Sequence, residues 1–358
     1  MEVLPKERLL KTLMRNFIET IDGTEAIMIY TSEGFLINKY TRAEMLNDGL
    51  DSSDAEEIYG AFASLVEPSI KKITSEYKIG ELGLMTFESP DHHLIFLEAG
   101  PGTLVLVISD YNIVINTILP YCYLLVEKIA QILEGSFDLQ YNTLTVPKLE
   151  IGADFDGDLM SKSLKEAGEF HIERSKKEKV FKLIILGDQE VGKTTLVTRF
   201  IKKKYSADYR PTLGISITTN KYNIQGFKDS KIRFLIYDLA GQDFFKRVRH
   251  IYYAEAQAAF CVYDVTRKDT FEGALKWYAD AKGELGDIPF VLIGNKIDLE
   301  DQRQVTTDEG RDKAQELKCS FIETSAKENI NVQDTFKILG IGLFFKEIPD
   351  YKEPVFLL

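Results

Sequence analysis

Apolar positions along the chain fall into two regimes. In the first, Leu9, Leu10, Leu13, Met14, Phe17, Ile18 and Ile21 recur at helical spacing and predict an amphipathic helix that Asp22-Gly23 breaks. Apolar runs at 26–30 and 35–39 flank Ser32-Glu33-Gly34 and predict a β-hairpin. A second helix is expected over roughly 53–76, followed by strands at 83–87, 93–97 and 104–108 with turns at Ser89-Pro90-Asp91 and Ala99-Gly100-Pro101-Gly102. A last helix carries Ile115, Ile118, Leu119, Cys122, Leu125, Val126, Ile129 and Leu133. Pro120 within it predicts a kink or a later start. The order is α-β-β-α-β-β-β-α, a small α+β domain spanning 1–140.

The second regime begins near residue 179 and alternates short apolar runs with helical patterns, which implies a mostly parallel sheet covered on both faces. Segments 222–224 and 232–237 suggest its antiparallel pair. Runs at 179–186, 258–263, 290–294 and 321–323 supply further strands, with helices near 271–286, 307–318 and 332–346. Residues 141–178 read as a linker with some helix over 161–177, and 349–358 as a tail. The acidic run at 154–158 hints at a calcium loop. It fails the pattern at Leu159 and Lys165 and reads as a solvated loop.

The chemistry concentrates in the second regime. Gly187-Asp188-Gln189-Glu190-Val191-Gly192-Lys193-Thr194 fits G-x-x-x-x-G-K-[ST] between an apolar strand and an amphipathic helix. Its glycines let backbone N–H groups close around a β-phosphate, and the helix N-terminus adds positive potential. Lys193 can reach β- and γ-phosphate oxygens, and the Thr194 hydroxyl can ligate Mg²⁺. Alone this pattern says only nucleoside triphosphate.

Later motifs decide the base. Asp238-Leu239-Ala240-Gly241-Gln242 fits D-x-x-G. Its aspartate can hold a Mg²⁺-bound water, and the Gly241 N–H can sense a γ-phosphate. In Asn295-Lys296-Ile297-Asp298 the carboxylate can accept from guanine N1–H and the 2-amino group. Adenine offers neither donor and would leave a desolvated charge unpaired. Glu323-Thr324-Ser325-Ala326-Lys327 can offer the Ala326 N–H to guanine O6.

Together with the switch-like run Tyr205 to Ile215, these motifs make residues 179–347 resemble a Ras-superfamily small GTPase, and within it the Rab proteins. The resemblance implies a P-loop α/β fold: a mostly parallel six-stranded sheet, helices on both faces, over 179–348. It implies binding of GTP and GDP by the phosphate loop through Thr195, by Tyr205 edge-on to the base, and by Tyr209 and Thr212. Asp238, Gly241, Asn295, Asp298, Ser325 and Ala326 join them, and the stems of Lys296 and Lys327 cover the base. Mg²⁺ would be held through Thr194, Thr212 and Asp238. Gln242 would orient the attacking water, with Lys193 and Thr212 completing the catalytic set. Hydrolysis would be slow, on the order of 10⁻⁴ to 10⁻² per second, because no transition-state arginine is assured. Gln189 stands where Ras has a small glycine and would hinder a Ras-type arginine finger. Arg210, two residues before Thr212, reads as a surface switch residue, with a finger acting in cis as the alternative.

The element order over residues 4–135 resembles the Roadblock/LC7 family. A longin domain is the alternative, although it opens with strands. The resemblance implies homodimerisation through a helix and the sheet edge, and a platform for small GTPases. Charge adds to this picture. Residues 1–140 carry 10 Lys/Arg against 22 Asp/Glu, and the remainder carries 34 of each, so the whole net charge of −12 sits in the first domain. That argues against nucleic acid and against unaided binding to anionic lipid. It also motivates docking of the acidic domain near Lys202, Lys203, Lys204, Lys246, Arg247 and Arg249. Cys122, Cys261 and Cys319 lie in apolar contexts and read as core residues in a reducing cytoplasm. No run approaches a membrane span, no signal peptide opens the sequence, and no cysteine near the end offers a direct lipid anchor, so any membrane would be reached through partners. His92 and His93 read as solvated turn residues. A second functional class stays open: a Roadblock-based scaffold whose GTPase module is nearly static and GTP-bound.

Overall fold

The computed structural model of the chain describes residues 5–42, 59–61, 63–64, 84–89, 91–100, 102–139, 142–149, 178–203, 215–224, 231–240, 249–346 and 355–357. The expected helix at 53–76 lies largely outside these residues, as do the 154–158 loop and the helix at 161–177.

The first domain is built on α1 (Lys6–Thr20), β1 (Thr24–Thr31), β2 (Leu36–Thr41), β3 (Leu84–Glu88), β4 (His92–Glu98), β5 (Thr103–Asp110) and α2 (Ile115–Glu134). Neighbouring strands among β3, β4, β5, β1 and β2, in that spatial order, are antiparallel. The two-residue period of β1 separates two buried faces. Ile27 and Ile29 join Leu13, Phe17 and Leu125 beneath α1 and α2, whereas Met28 and Tyr30 join Phe96, Leu106 and Ala63 on the other side. Pro120 is accommodated inside α2, which starts at Ile115 and ends on left-handed Gly135. A short strand near the end of the sequence, β12 (Val355–Leu357), runs parallel along β3 and extends this sheet, where the sequence suggested only a tail.

The second domain contains β6 (Glu178–Leu186), α3 (Lys193–Lys202), β7 (Ile215–Asn223), β8 (Lys231–Leu239), α4 (Arg249–Tyr253), β9 (Ala258–Asp264), α5 (Lys268–Leu285), β10 (Phe290–Asn295), α6 (Thr307–Glu316), β11 (Ser320–Thr324) and α7 (Val332–Lys346). Its sheet order is β11-β10-β9-β6-β8-β7, parallel throughout except for the β7–β8 pair. This is the mixed α/β sheet the alternation implied. The central strands β9 and β10 are buried along their whole length, as near-continuous apolar runs require. All three cysteines are buried thiols.

The two domains meet through α2 and α7, and one apolar cluster runs without interruption from α1 and α2 into α7 and β8. Helix α7 is apolar around most of its circumference: Phe336, Leu339 and Ile341 are buried together with Ile338, Leu343 and Phe344. Such a helix needs cover on two sides, and α2 supplies the second. Tyr123 stacks on Phe345 at 5.2 Å, Lys337 pairs with Glu127, and Lys128 pairs with Asp334 at 2.7 Å. Among the described residues the contact between the domains thus lies at α2 and α7, whereas Lys204, Lys246 and Arg247 of the expected basic docking stretch lie outside the described residues. Burial of a dry apolar helix face outweighs attraction between exposed charges, which salt and water weaken.

Two further expectations change. Part of the supposed linker, 142–149, is packed: Val146 and Leu149 are buried, Tyr121 donates to Leu149 O at 3.0 Å, and Asn16 donates to Leu144 O at 2.7 Å. His93 is no solvated turn residue. It is buried in β4, stacked on Tyr111, with Nε2 at 2.9 Å from Tyr111 O, and His92 faces Glu25 at 3.1 Å. Strand β4 simply begins at His92, so the alternation of the sheet turns its neighbour inward.

Candidate functional site

The site forms where β6, β8, β10 and β11 end at their carboxyl edges, the position at which open α/β sheets hold ligands. After β6 the chain turns sharply into α3. Gly187 has φ +138°, and a Cβ there would stand 2.2 Å from Val262 O of β9, so only glycine fits. Gly192 has φ +96°, and its Cβ would meet Asn295 Nδ2 at 2.3 Å. The loop thus lies directly against the strands that carry the other motifs. Lys193, the first residue of α3, is buried and donates from Nζ to Gly187 O and Asp188 O, both at 2.7 Å. Its charge is held at the mouth of the loop.

Thr194 donates its hydroxyl to Asp238 Oδ2 across the gap from α3 to the end of β8. The other carboxylate oxygen, Asp238 Oδ1, is buried without a hydrogen-bond partner among the described residues. Burial pushes the Asp238 carboxyl up from the usual range, and the Thr194 hydroxyl and the Lys193 charge only partly offset this. A buried carboxylate with one oxygen unsatisfied, beside a threonine hydroxyl, is a hard oxygen donor set that fits Mg²⁺. Thr212, the third expected Mg²⁺ contact, lies outside the described residues, as do Tyr205, Tyr209, Gly241 and Gln242.

On the base side, Asn295 at the end of β10 is buried and works in two directions. Its Nδ2 donates to Val191 O at 2.8 Å, and its Oδ1 accepts from Thr324 Oγ1 at 3.1 Å and from Ala326 N–H at 3.2 Å. It therefore locks the phosphate loop to the loop after β11. Ser325 donates to Asp298 Oδ1 at 2.5 Å and itself accepts from Glu328 N–H at 3.0 Å, which fixes the carboxylate expected to read guanine. Lys296, at φ +71°, sends Nζ to Asp264 at 2.7 Å, and Lys327 Nζ lies 3.8 Å from Asp298. The expectation that Ala326 N–H faces guanine O6 meets a difference here, since that N–H is on Asn295 Oδ1. Gln189, Glu190 and Thr195 lie on or next to the loop, with Glu190 in a left-handed conformation.

Several side chains at the site escaped the motif search. Asp188 Oδ1 accepts from Trp277 Nε1 at 2.9 Å, and a Cβ at Gly273 would stand 1.8 Å from Asp188 Oδ2. Helix α5 thus holds the phosphate loop from the side. Arg267 Nη1 approaches Gln189 O at 3.5 Å. Buried Asp264 accepts from Thr266 N–H at 2.9 Å while pairing with Lys296. The one sequence signal was Trp277, the single tryptophan of the chain, on the apolar face of a helix.

Residues 182–341 match the family model of the Ras family. The match supports a Ras-superfamily small GTPase domain over these residues, a class that binds GTP and GDP and typically Mg²⁺.

Proposed function

We propose that the chain is a guanine-nucleotide switch of Rab-like type that hydrolyses GTP to GDP slowly, joined to a Roadblock/LC7-like domain for dimerisation and for regulation or partner recruitment, in vesicle trafficking or signalling. One observation carries the reading. The unsatisfied Asp238 oxygen beside Thr194 lies at one end of the phosphate loop, and the Asn295–Ala326 and Ser325–Asp298 hydrogen bonds lie at the other. A cation-hungry carboxylate and a frame of guanine-selective groups then share one loop.

In this reading Lys193 leaves the carbonyls of Gly187 and Asp188 for the β- and γ-phosphate oxygens when GTP enters. Asp298 accepts from the guanine N1–H and 2-amino groups, and Ser325 keeps it aimed. Mg²⁺ would supply charge neutralisation on the phosphates, held by Thr194, Asp238 and Thr212. Gln242 orients the attacking water, and Thr212 and Gly241 follow the γ-phosphate, which couples hydrolysis to release of both switch segments. The antiparallel sheet of the first domain, with α1 and α2 on one face, supports the Roadblock-like assignment.

The test uses the full chain. Purified protein should carry guanine nucleotide, release it on chelation of Mg²⁺, and turn over bound GTP once. Gln242→Leu should slow that turnover at least tenfold without loss of nucleotide. Protein that binds no guanine nucleotide, or a Gln242→Leu rate equal to the parent's, would overturn the reading. GTP retained unhydrolysed by the parent would favour the static scaffold.

A further inference from the structure

The loop that carries Ala326 is held from behind as well as by its own strand. Arg199, in the last turn of α3 and 9 % exposed, donates Nε to Ala326 O at 3.0 Å and Nη2 to Lys327 O, with Nη1 at 3.4 Å from Lys203 O. Its positive charge sits at the C-terminal end of its own helix, where the last carbonyls carry partial negative charge. Gln333, in the first turn of α7, donates Nε2 to Arg199 O at 2.9 Å and to Phe200 O at 3.1 Å, which covers the same helix end. Phe200 stacks on Phe336 of α7 at 4.1 Å and 6°. One residue beyond Gln333, Asp334 is the partner of Lys128 in the first domain. Lys128 also donates to Thr143 O at 3.0 Å and Thr145 O at 2.8 Å.

Hydrogen bonds and adjacent residues therefore run without a gap from Lys128 through Asp334, Gln333 and Arg199 to the Ala326 loop. Ser325 at the start of that loop also aims Asp298. We propose that Arg199 and Gln333 are positioning residues for the guanine-recognition loop, and that the N-terminal domain, by gripping α7, sets how long nucleotide stays bound. The proposal rests on the reading that Asp298 and the 325–327 loop hold guanine. It places the domain's influence on the base side, at the end of α3 opposite Thr194, so exchange should respond more than hydrolysis.

The experiment measures dissociation of a fluorescent GDP analogue, and of GDP against IDP, from the full chain at fixed Mg²⁺. IDP lacks the 2-amino group that Asp298 would accept, so the IDP-to-GDP ratio of dissociation rates reports how firmly Asp298 is aimed. Arg199→Gln should speed GDP dissociation about tenfold, and Lys128→Ala about fivefold. Both should narrow the IDP-to-GDP ratio in variants that keep the parent's circular dichroism spectrum, an effect that loss of phosphate contacts would not produce. Single-turnover hydrolysis of loaded GTP should be unchanged in Lys128→Ala. If that variant does not fold, Glu127→Gln with Lys337→Met loosens the same interface through the half-buried pair between α2 and α7. Unchanged dissociation in folded Arg199→Gln overturns the proposal. Acceleration by Arg199→Gln without any by the interface variants overturns the part given to the N-terminal domain. A parent protein that binds no guanine nucleotide defeats the underlying reading instead, and is recognised before any variant is compared.

Discussion

Replacing Lys128 by methionine tests whether the two domains are one folding unit. The Lys128 side chain is 3 % exposed and that of Asp334 is 8 %. The ammonium can place a hydrogen on Asp334 Oδ2, on Thr143 O and on Thr145 O, so all three of its donors have a place. Methionine keeps most of the stem but leaves Asp334 with the Thr143 hydroxyl, 3.3 Å away, as its remaining side-chain donor among the described residues. Removing one partner of a buried pair costs about 3–5 kcal/mol, because the other charge stays desolvated. At roughly 1.3 °C per kcal/mol for one cooperative unit of 358 residues, the melting temperature should fall by about 4–7 °C. Replacing both, Lys128→Met with Asp334→Leu, removes the stranded charge and should return stability to within about 1 kcal/mol of the parent.

The assay is urea unfolding of the full chain followed by the fluorescence of Trp277, the single tryptophan, which lies on α5 of the GTPase domain. Lys128 belongs to the other domain, so the Trp277 transition moves only if the α2–α7 interface makes unfolding cooperative. A single variant that leaves this transition in place would refute the argument. So would a double variant as unstable as the single one, which would mean that the loss came from packing and not from the stranded carboxylate.

Further expectations follow from other contacts. Asp238→Asn should abolish the Mg²⁺ dependence of nucleotide release, so that GDP leaves quickly with or without chelator; retained sensitivity would place the cation elsewhere. Because burial raises the Asp238 carboxyl above its unfolded value, nucleotide-free parent should lose stability as pH rises from about 3.8 through the raised folded value, and Asp238→Asn should lack that loss in thermal melts. Trp277→Phe removes the hydrogen bond to Asp188 and should cost about 1.5–3 kcal/mol in urea unfolding followed by circular dichroism. On α6, the hydrogen bond from Lys268 and then the Thr306 capping box hold the Glu309 carboxyl down to about 2. The stability this lends is complete above the unfolded value of 4.5 and disappears as pH falls towards 2. Glu309→Gln should therefore flatten the acid limb of the stability curve in that window. Removing residues 347–358 takes β12 off the edge of β3 and should make association concentration-dependent in sedimentation, since an uncovered strand edge pairs readily.

The order of elements was readable because each depends on local pattern. Strands β9 and β10 appear as unbroken apolar runs, α1 as a stripe at helical spacing, and the phosphate loop as glycines at fixed offsets. The candidate site residues stood out for the same reason: Lys193, Thr194, Asp238, Asn295 and Ser325 each sit at or just past the end of a strand or at the start of a helix. What pattern could not deliver were pairings between distant residues. Lys128 and Asp334 stand 206 positions apart, and nothing local marks either as anything but a solvated charge on a helix. Arg199 likewise reads as one more basic residue near a helix end, although it is buried against Ala326 O and Lys327 O.

Helix α7 brings these two kinds of information together. Its residues 332–346 are assigned correctly as a helix from the sequence, yet its apolar residues are spread too evenly around the axis for a helix with one buried face. That excess of apolar surface was itself a signal that a second body covers it, and it weighed more than the charge difference between the domains, which suggested docking elsewhere. Charge asymmetry acts over distances that water and salt screen, whereas an apolar helix face left wet forfeits roughly 1.5–3 kcal/mol for each large side chain. The domain that covers α7 thereby also buries Asp334 beside Gln333, at the back of the loop expected to read the base. The packing that stabilises the pair of domains and the route by which one could act on the other's nucleotide are the same contact.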